Sequence, residues 1–590
     1  MKVLVTLFIN LFVVTEVIAQ NAYSVADIQL GVGSGDPKQL RTMGSDLYFT
    51  ADDGVHGQEL WKFDGINATM VADIFPGSQG SNPWHFDVWQ NELYFAANDG
   101  IHGTELWKFD GTNAYMIADI NQGIEGSTPD WFTPFQSSLY FRANDAAHGT
   151  ELWEYDGDTV MLAADFYPGT PGGLGGWLIA LGNELVLQAN DGSLGEELWK
   201  YNGNSASLIE DINSGSEHSS PSGMRVWGAK LLFFADDGIH GDELWMYDGL
   251  NSPVLADINA GAQGSIAGWN TSAELDGVSY FLADDGIHGK EIWKVDPNGA
   301  SLAYDIYNGF QGSEIISELK LFNSKIYFGA NDGVFGTELW SYDGDTAILV
   351  QDLQMGVESS WPYRFIEFED ELYFAAQTST TGQELWKFNG ATAEMVEDIF
   401  PGVNSSLIGE NEVIDCKLYF TAEDGVSGRE LWRVDGVAPI TDIGIIENGN
   451  ELTCNGNYAS YQWLLNDTII QGATGQAHIT SISGNYSVEV SSLHGCVGVS
   501  YILEYTLQIG IDEYGSNIPF TVYPNPNDGQ FRLEMKSSRN YHVMIYNSLG
   551  QVIYGNEFNE ASQIELPVAG IYHLKVTVDE EIYTQKIVVK

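Results

Sequence analysis

Basic side chains are scarce in this chain of 590 residues: 24 Lys and Arg stand against 82 Asp and Glu, a formal net charge of −58. Nucleic acid rewards the opposite sign, which argues against a DNA- or RNA-binding role. High negative charge keeps an exported protein soluble and can recruit divalent cations, although a solvated acidic surface is the simpler account of it. Cysteine is rarer still. Cys416, Cys454 and Cys496 suit an exported chain with one disulfide and one thiol left over. Past the N-terminal twenty residues no apolar run is long enough to cross a bilayer, and no segment carries a helical apolar period of useful length. Also missing are a nucleophile–base constellation, a Gly-rich phosphate loop after a strand and an HExxH helix. A pair of catalytic carboxylates cannot be nominated from 82 acids.

Residues 1–19 read as a secretory signal peptide. Lys2 is the charged start, Val3 to Val14 the apolar run, and Val17, Ile18 and Ala19 the small-residue cleavage site, with Glu16 an unusual neighbour.

What fills the rest is repetition. The stretch ADDGVHGQELWKFDG from Ala51 returns as ANDGIHGTELWKFDG from Ala97 and, with variations, from Ala143, Ala189, Ala235, Ala283, Ala330, Ala376 and Ala422. Its tryptophans are Trp61, Trp107, Trp153, Trp199, Trp245, Trp293, Trp340, Trp386 and Trp432, a step of 46 with slips of two and one. Asp27, Asp73, Asp119, Asp165, Asp211, Asp257, Asp305, Asp352 and Asp398 keep the same step, each followed by Ile, Phe or Leu. Within one unit, an aromatic run (Trp84 to Trp89), ELYFAA from Glu92, the return from Glu105 and AYMIADI from Ala114 read as four strands. Asn, Asp and Gly supply the turns between them. Four short strands per 46 residues match a β-propeller blade.

A single such sheet cannot bury both faces, whereas a ring of them covers each blade with its neighbour and leaves no long free edge. The expected fold is therefore all-β: a propeller of nine blades over residues 20–440, followed by two small β-sandwiches. VADI from Val25 is the tail of a unit without its beginning, so it is expected to seal the last blade. Nine blades exceed the usual range, and an open or split arrangement is the alternative.

The Glu before each Leu-Trp occurs in every copy: Glu59, Glu105, Glu151, Glu197, Glu243, Glu291, Glu338, Glu384 and Glu430. A catalytic acid is needed once, so these read as structural residues that share the Trp face and need buried partners, with nearby turn amides the expected donors. The turn aspartates (Asp53, Asp99, Asp145, Asp191, Asp237, Asp285, Asp332, Asp424) offer calcium two or three carboxylates, but the spacing is not that of an EF-hand loop, and an Asp-stabilised turn is the preferred reading. His56, His102, His148, His240 and His288 are replaced by Leu194 and Phe335 in other copies, which speaks for packing and against zinc. No catalytic or cofactor-binding residue is nominated. Trp84, Trp131, Trp177, Trp269 and Trp361, near the starts of first strands, are the candidates for stacking on sugar rings, with blade-to-blade packing the competing explanation.

The repeats resemble the ELWxxDGT repeat family, a family that implies a secreted repeat protein and brings no known activity. Residues 441–508, with YQWLLN, GNYSVEV and the order Cys454, Trp463, Cys496, resemble a bacterial immunoglobulin-like domain. That resemblance implies a Cys454–Cys496 disulfide, although Cys496 lies beyond the GNYSVEV strand rather than inside it; Cys416 is then a buried free thiol. FTVYPNPNDGQF from Phe520, YHVMIYNSLGQVIY from Tyr541, LPVAGIYHLKV from Leu566 and the final KIVVK resemble a type IX secretion C-terminal sorting domain, placed at residues 518–590. It implies the type IX machinery as partner, export through the outer membrane, and in many members removal of the tail and attachment to a surface polysaccharide.

The expected function is that of a secreted, cell-surface binding or adhesion protein for polysaccharide or another surface ligand, not an enzyme. A polysaccharide-degrading propeller enzyme and a passive surface-layer component are the alternatives.

Overall fold

The computed structural model describes residues 21–265, 272–315, 317–436, 443–466, 468–491, 497–505, 519–537, 539–548, 550–566, 568–579 and 581–590. The expected signal peptide and Trp269 lie outside them. Among the described residues every regular element is a strand.

Strand β1 (Ala22–Ala26) opens the chain, and β2 (Lys38–Met43), β3 (Asp46–Asp52), β4 (Gln58–Phe63) and β5 (Ala68–Ala72) form the first antiparallel sheet in that order. In β3, Leu47, Tyr48, Phe49, Thr50 and Ala51 are all buried: the strand is covered on both faces, which is why it reads as a continuous apolar run. Register sets Phe49 opposite Trp61 and Ala51 opposite Glu59. The same four-stranded sheet recurs as blades 2 to 8 (84–118, 130–164, 174–210, 222–256, 272–304, 320–351 and 363–397).

The ninth blade takes its fourth strand from the other end of the repeat region. β1 pairs antiparallel with Arg429–Asp435, setting Tyr23 opposite Arg433 and Ser24 opposite Trp432. The propeller is thus sealed by its N-terminal strand. Each pair of successive blades shares a hydrophobic core: Tyr48 and Leu60 of blade 1 pack with Phe95 and Phe109 of blade 2, and Phe234 of blade 5 with Phe281 of blade 6. Blade 9 closes on blade 1 in the same way, Tyr419 and Leu431 lying among Leu47, Phe49 and Phe63. The open arrangement does not occur, because the last junction is packed like the others.

First strands lie innermost, β2 against the first strands of blades 2 and 9. They carry a bulge where they meet the second strand, between Lys38 and Arg41, Trp84 and Asp87, Asp130 and Thr133, and Tyr363 and Ile366. Gln39 (φ 58°), His85 (57°), Trp131 (55°) and Arg364 (57°) stand in these bulges in the left-handed region, re-aiming side chains at the inner rim.

The C-terminal part is a second unit. Ile445–Asn448, Glu451–Cys454 and Ala477–Ile479 make one small sheet; Ser460–Leu465 and Gly484–Ser491 anchor the other. Trp463 is fully buried there and donates its Nε1–H to Gly475 O at 2.9 Å. The last sandwich buries Phe531, Leu533, Tyr541, Val543 and Leu574 between a three-stranded and a four-stranded sheet. Asn525, between two prolines, is tied to the final strand through Lys586 O (2.6 Å) and Val588 N (2.8 Å).

Candidate functional site

The repeated glutamate is fully buried in all nine blades and is saturated with donors. Glu59 accepts from the amides of Ile74 (3.0 Å), Phe75 (3.0 Å) and Ser81 (2.9 Å) and from Ser81 Oγ (2.5 Å). These donors lie on the loop that leaves β5 for blade 2, not in the hairpin turn beside it. The carboxylate therefore fastens the crossing between blades. Glu430 does the same to the N-terminal segment, accepting from Ile28 N (3.0 Å) and Gly35 N (2.7 Å). Burial is the largest influence on these carboxyls and raises them all; Glu197 is pushed up to about 6, and Glu151, Glu291, Glu338, Glu384 and Glu430 to about 7, against the pull of the amides.

The serine partner was missed by sequence reasoning. Ser81, Ser127, Ser219, Ser265, Ser313, Ser360 and Ser406 each follow their Glu by 22 residues, a third periodic marker. Glycine is required nearby for a steric reason: Gly57 (φ 72°) approaches the loop so closely that a Cβ there would stand 2.6 Å from Gly80 N.

At the hairpin turn, Asp53 Oδ1 accepts from Val55 N and His56 N, both at 2.9 Å, and Oδ2 lies 2.8 Å from His56 Nδ1. Asp99–His102, Asp145–His148, Asp237–His240 and Asp285–His288 repeat the pair. The hydrogen bond to Asp raises each histidine above its usual value. Burial opposes ionisation of Asp53, but the amides and imidazole of the turn outweigh it and lower its pKa. Among the described residues no group of three or more His, Cys, Asp or Glu converges as metal ligands.

Trp131 and Trp177 share one repeat position, whereas Trp84 and Trp361 stand at others. Trp84 is 37% exposed and packs its ring on His85, centroids 4.2 Å apart. Trp131 and Trp177 are half-buried and pair with each other at 5.0 Å. Trp361 (φ 48°) lies in the loop before the first strand of blade 8. The structure thus brings Trp131 and Trp177 together and leaves Trp84 in a different setting.

Two clefts open on this inner rim. One, of about 440 Å³, lies between blades 1 and 2 and is lined by Lys38, Gln39, Thr50, Gln58, Ser81, Asn82, Pro83, Trp84, Asn98 and Thr104. The other, of about 320 Å³, lies between blades 3 and 4 and is lined by Thr128, Arg142, Thr150, Pro171, Gly172, Gly173, Leu174, Asn190 and Glu196. Arg142 is held there by Asp130, Nε to Oδ1 at 2.8 Å and Nη2 to Oδ2 at 2.5 Å, a bidentate fork.

The cysteines differ from expectation. Cys454 is a buried free thiol, so the bridge expected from it is not made, whereas Cys416, expected to be free, is disulfide-bonded. Cys496 lies outside the described residues.

Residues 521–590 match the secretion system C-terminal sorting domain. The tail is that of type IX secretion, so the protein is exported across the outer membrane to the cell surface or the extracellular space, and the secretion machinery is its partner in that step. No helix among the described residues is long and apolar enough to cross a membrane. No curated protein matches the chain. Among solved structures it is similar to an extracellular domain of a one-component system from B. thetaiotaomicron, at 10% identity and TM-score 0.22 over 93% of this chain and 85% of that one. It is also similar to a puromycin-hydrolyzing peptidase of Mycobacterium tuberculosis, at 9% identity and TM-score 0.33 over 68% and 61%. A prolyl endopeptidase is matched at 9% and 0.33 over 60% and 54%.

Proposed function

We propose that the exported protein is a non-enzymatic binding or adhesion protein of the cell surface, its ligand a polysaccharide. In this reading residues 1–19 are the signal peptide, 20–440 an ELWxxDGT-repeat propeller, 441–508 an immunoglobulin-like spacer and 518–590 the sorting domain, after which the mature chain is attached at the surface. The nine glutamates are structural fasteners and the turn aspartates hold turns, leaving the inner rim as the variable part of the repeat.

The observation that carries the reading is Trp84: an indole 37% exposed at the mouth of a cleft lined by amides and hydroxyls. Such a setting combines an apolar face for sugar C–H groups with donors and acceptors for hydroxyls. The test is a glycan array probed with the mature chain. Retention of polysaccharides by the wild type, weakened in Trp84→Ala, supports it; no binding to any glycan, or release of reducing ends from one, refutes it.

A further inference from the structure

The two clefts are copies of one site. Six of the nine residues that line the second stand 92 positions after a residue that lines the first, among them Arg142 after Thr50, Thr150 after Gln58, Asn190 after Asn98, and Glu196 after Thr104. That interval is two repeats, so both open at the same end of the propeller, two blades apart.

Their chemistries are complementary rather than identical. The first offers the exposed face of Trp84 with the side-chain amides of Asn82 and Asn98. The second offers the guanidinium of Arg142, whose Nε and Nη2 are fixed on Asp130 while Nη1 is not part of that fork. A Cβ built on Gly176 would lie 3.8 Å from both Arg142 Nη1 and Trp131 Nε1, so a guanidinium edge and an indole N–H border the same small space. Between blades 9 and 1, Arg429 occupies the corresponding place, its guanidinium bonded to Leu407 O (2.9 Å) and Thr421 Oγ1 (2.7 Å).

Charge selects the ligand class. Arg142 is neutralised by Asp130 and Lys38 is paired with Asp36, Glu196 lines the second cleft, and the whole chain carries −58. An anionic glycan would meet no unpaired cation among these lining groups and would be repelled at long range. Planar side chains with paired donors and acceptors suit vicinal hydroxyls, and indole suits the C–H face of a pyranose.

We infer that the clefts at Trp84 and Arg142 are paired subsites for a neutral hexopyranose polymer, one binding mainly by stacking and the other by hydrogen bonds, engaged together by one polysaccharide chain. This rests on the polysaccharide-binding reading above. Linking two weak sites through one polymer raises the affinity beyond either site alone.

The mature chain is run through native gels containing laminarin or galactomannan, both neutral, and alginate or polygalacturonate, both anionic. The expected result is retardation by a neutral polymer only. Trp84→Ala and Arg142→Met each weaken it about tenfold, the double variant by about a hundredfold, and Tyr115→Ala, at an exposed aromatic on the fourth strand of blade 2, leaves it unchanged. Circular dichroism verifies folding; should Arg142→Met unfold because Asp130 loses its partner, Arg142→Lys keeps the charge without the fork and replaces it. Retardation by neutral polymer that both cleft variants leave intact overturns the cleft assignment while sparing the binding function. Retardation by the anionic polymers overturns the ligand class. Retardation by none of the four, with no glycan retained on the array, removes the binding function itself.

Discussion

Phe63 of blade 1 meets Tyr419 of blade 9 edge to face, ring centroids 5.6 Å apart and planes at 63°. The same second-strand to third-strand aromatic step joins Tyr48 to Phe109 (5.4 Å), Tyr94 to Tyr155 (6.0 Å), Tyr140 to Tyr201 (5.7 Å), Tyr280 to Tyr342 (5.3 Å) and Tyr327 to Phe388 (5.4 Å). The seam where the ring closes is built like the internal junctions. Tyr419→Ala is therefore expected to cost about 3–5 kcal/mol, as large aromatic truncations in cores do, and to match Tyr94→Ala. Equilibrium urea unfolding of the two variants checks this. A much milder loss at Tyr419 would mean that the seam is loose.

The glutamate fasteners give a second expectation. Glu105 accepts from Ile120 N (3.0 Å), Asn121 N (3.2 Å) and Ser127 Oγ (2.5 Å). Glu105→Ala strands buried donors, each worth about 1–3 kcal/mol, so several kcal/mol should be lost. Glu105→Gln keeps one acceptor oxygen, for Ile120 N and Ser127 Oγ, and sets its NH₂ against Asn121 N alone, so its loss should be smaller, about 1–3 kcal/mol. Thermal unfolding of the pair separates them. Equal losses would show that the charge, rather than hydrogen-bond geometry, holds the crossing loop.

Stability should also fall on the alkaline side of neutrality. The buried glutamates are raised from 4.5, five of them to about 7, and the turn histidines are raised above 6.5. A group whose folded pKa exceeds its unfolded value binds its proton more tightly when folded. Its contribution is complete below the unfolded pKa and is lost as pH rises through the folded one. Turn aspartates such as Asp53 and Asp99 are lowered from 3.8, so their contribution is present above that value and disappears in stronger acid. The two together place the optimum at about pH 4–5. Tm measured by calorimetry is expected to fall between about pH 5.5 and pH 8, and less so in Glu430→Gln. A flat or rising Tm over that range would contradict the assignment.

The fold was legible because its determinants are local and repeated. Glu59, Trp61 and Asp73 recur at fixed spacing, and Leu47, Tyr48 and Phe49 mark a strand covered on both sides. Even the closing strand was visible, since Val25 to Ile28 repeats the end of a unit whose beginning stands at the other end of the ring. Ser81 was overlooked because a small polar residue in a Gly-rich loop looks ordinary until its distance from Glu59 is noticed. The clefts were illegible for a different reason. Thr50 and Asn98 belong to different blades, and only packing of one sheet on the next makes them neighbours. Tryptophan was a useful flag but a coarse one: Trp84, Trp131 and Trp361 share a residue type and not a position. The cysteines misled because an order of Cys, Trp and Cys along the chain says nothing about which sulfurs meet in space.

That last difference is open to direct chemistry. Cys454 is 1% exposed, its Sγ 3.7 Å from Asn455 O, and burial raises its thiol pKa. A thiol so placed has little thiolate and no access for a reagent. The native protein is therefore expected to leave Cys454 unalkylated by iodoacetamide. Denaturation without reductant should expose it to complete labelling while Cys416, already disulfide-bonded, stays protected until reductant is added. Peptide mass spectrometry reads both sites in one digest. Labelling of Cys416 with protection of Cys454 under those conditions would restore the bridge that the immunoglobulin-like pattern suggests.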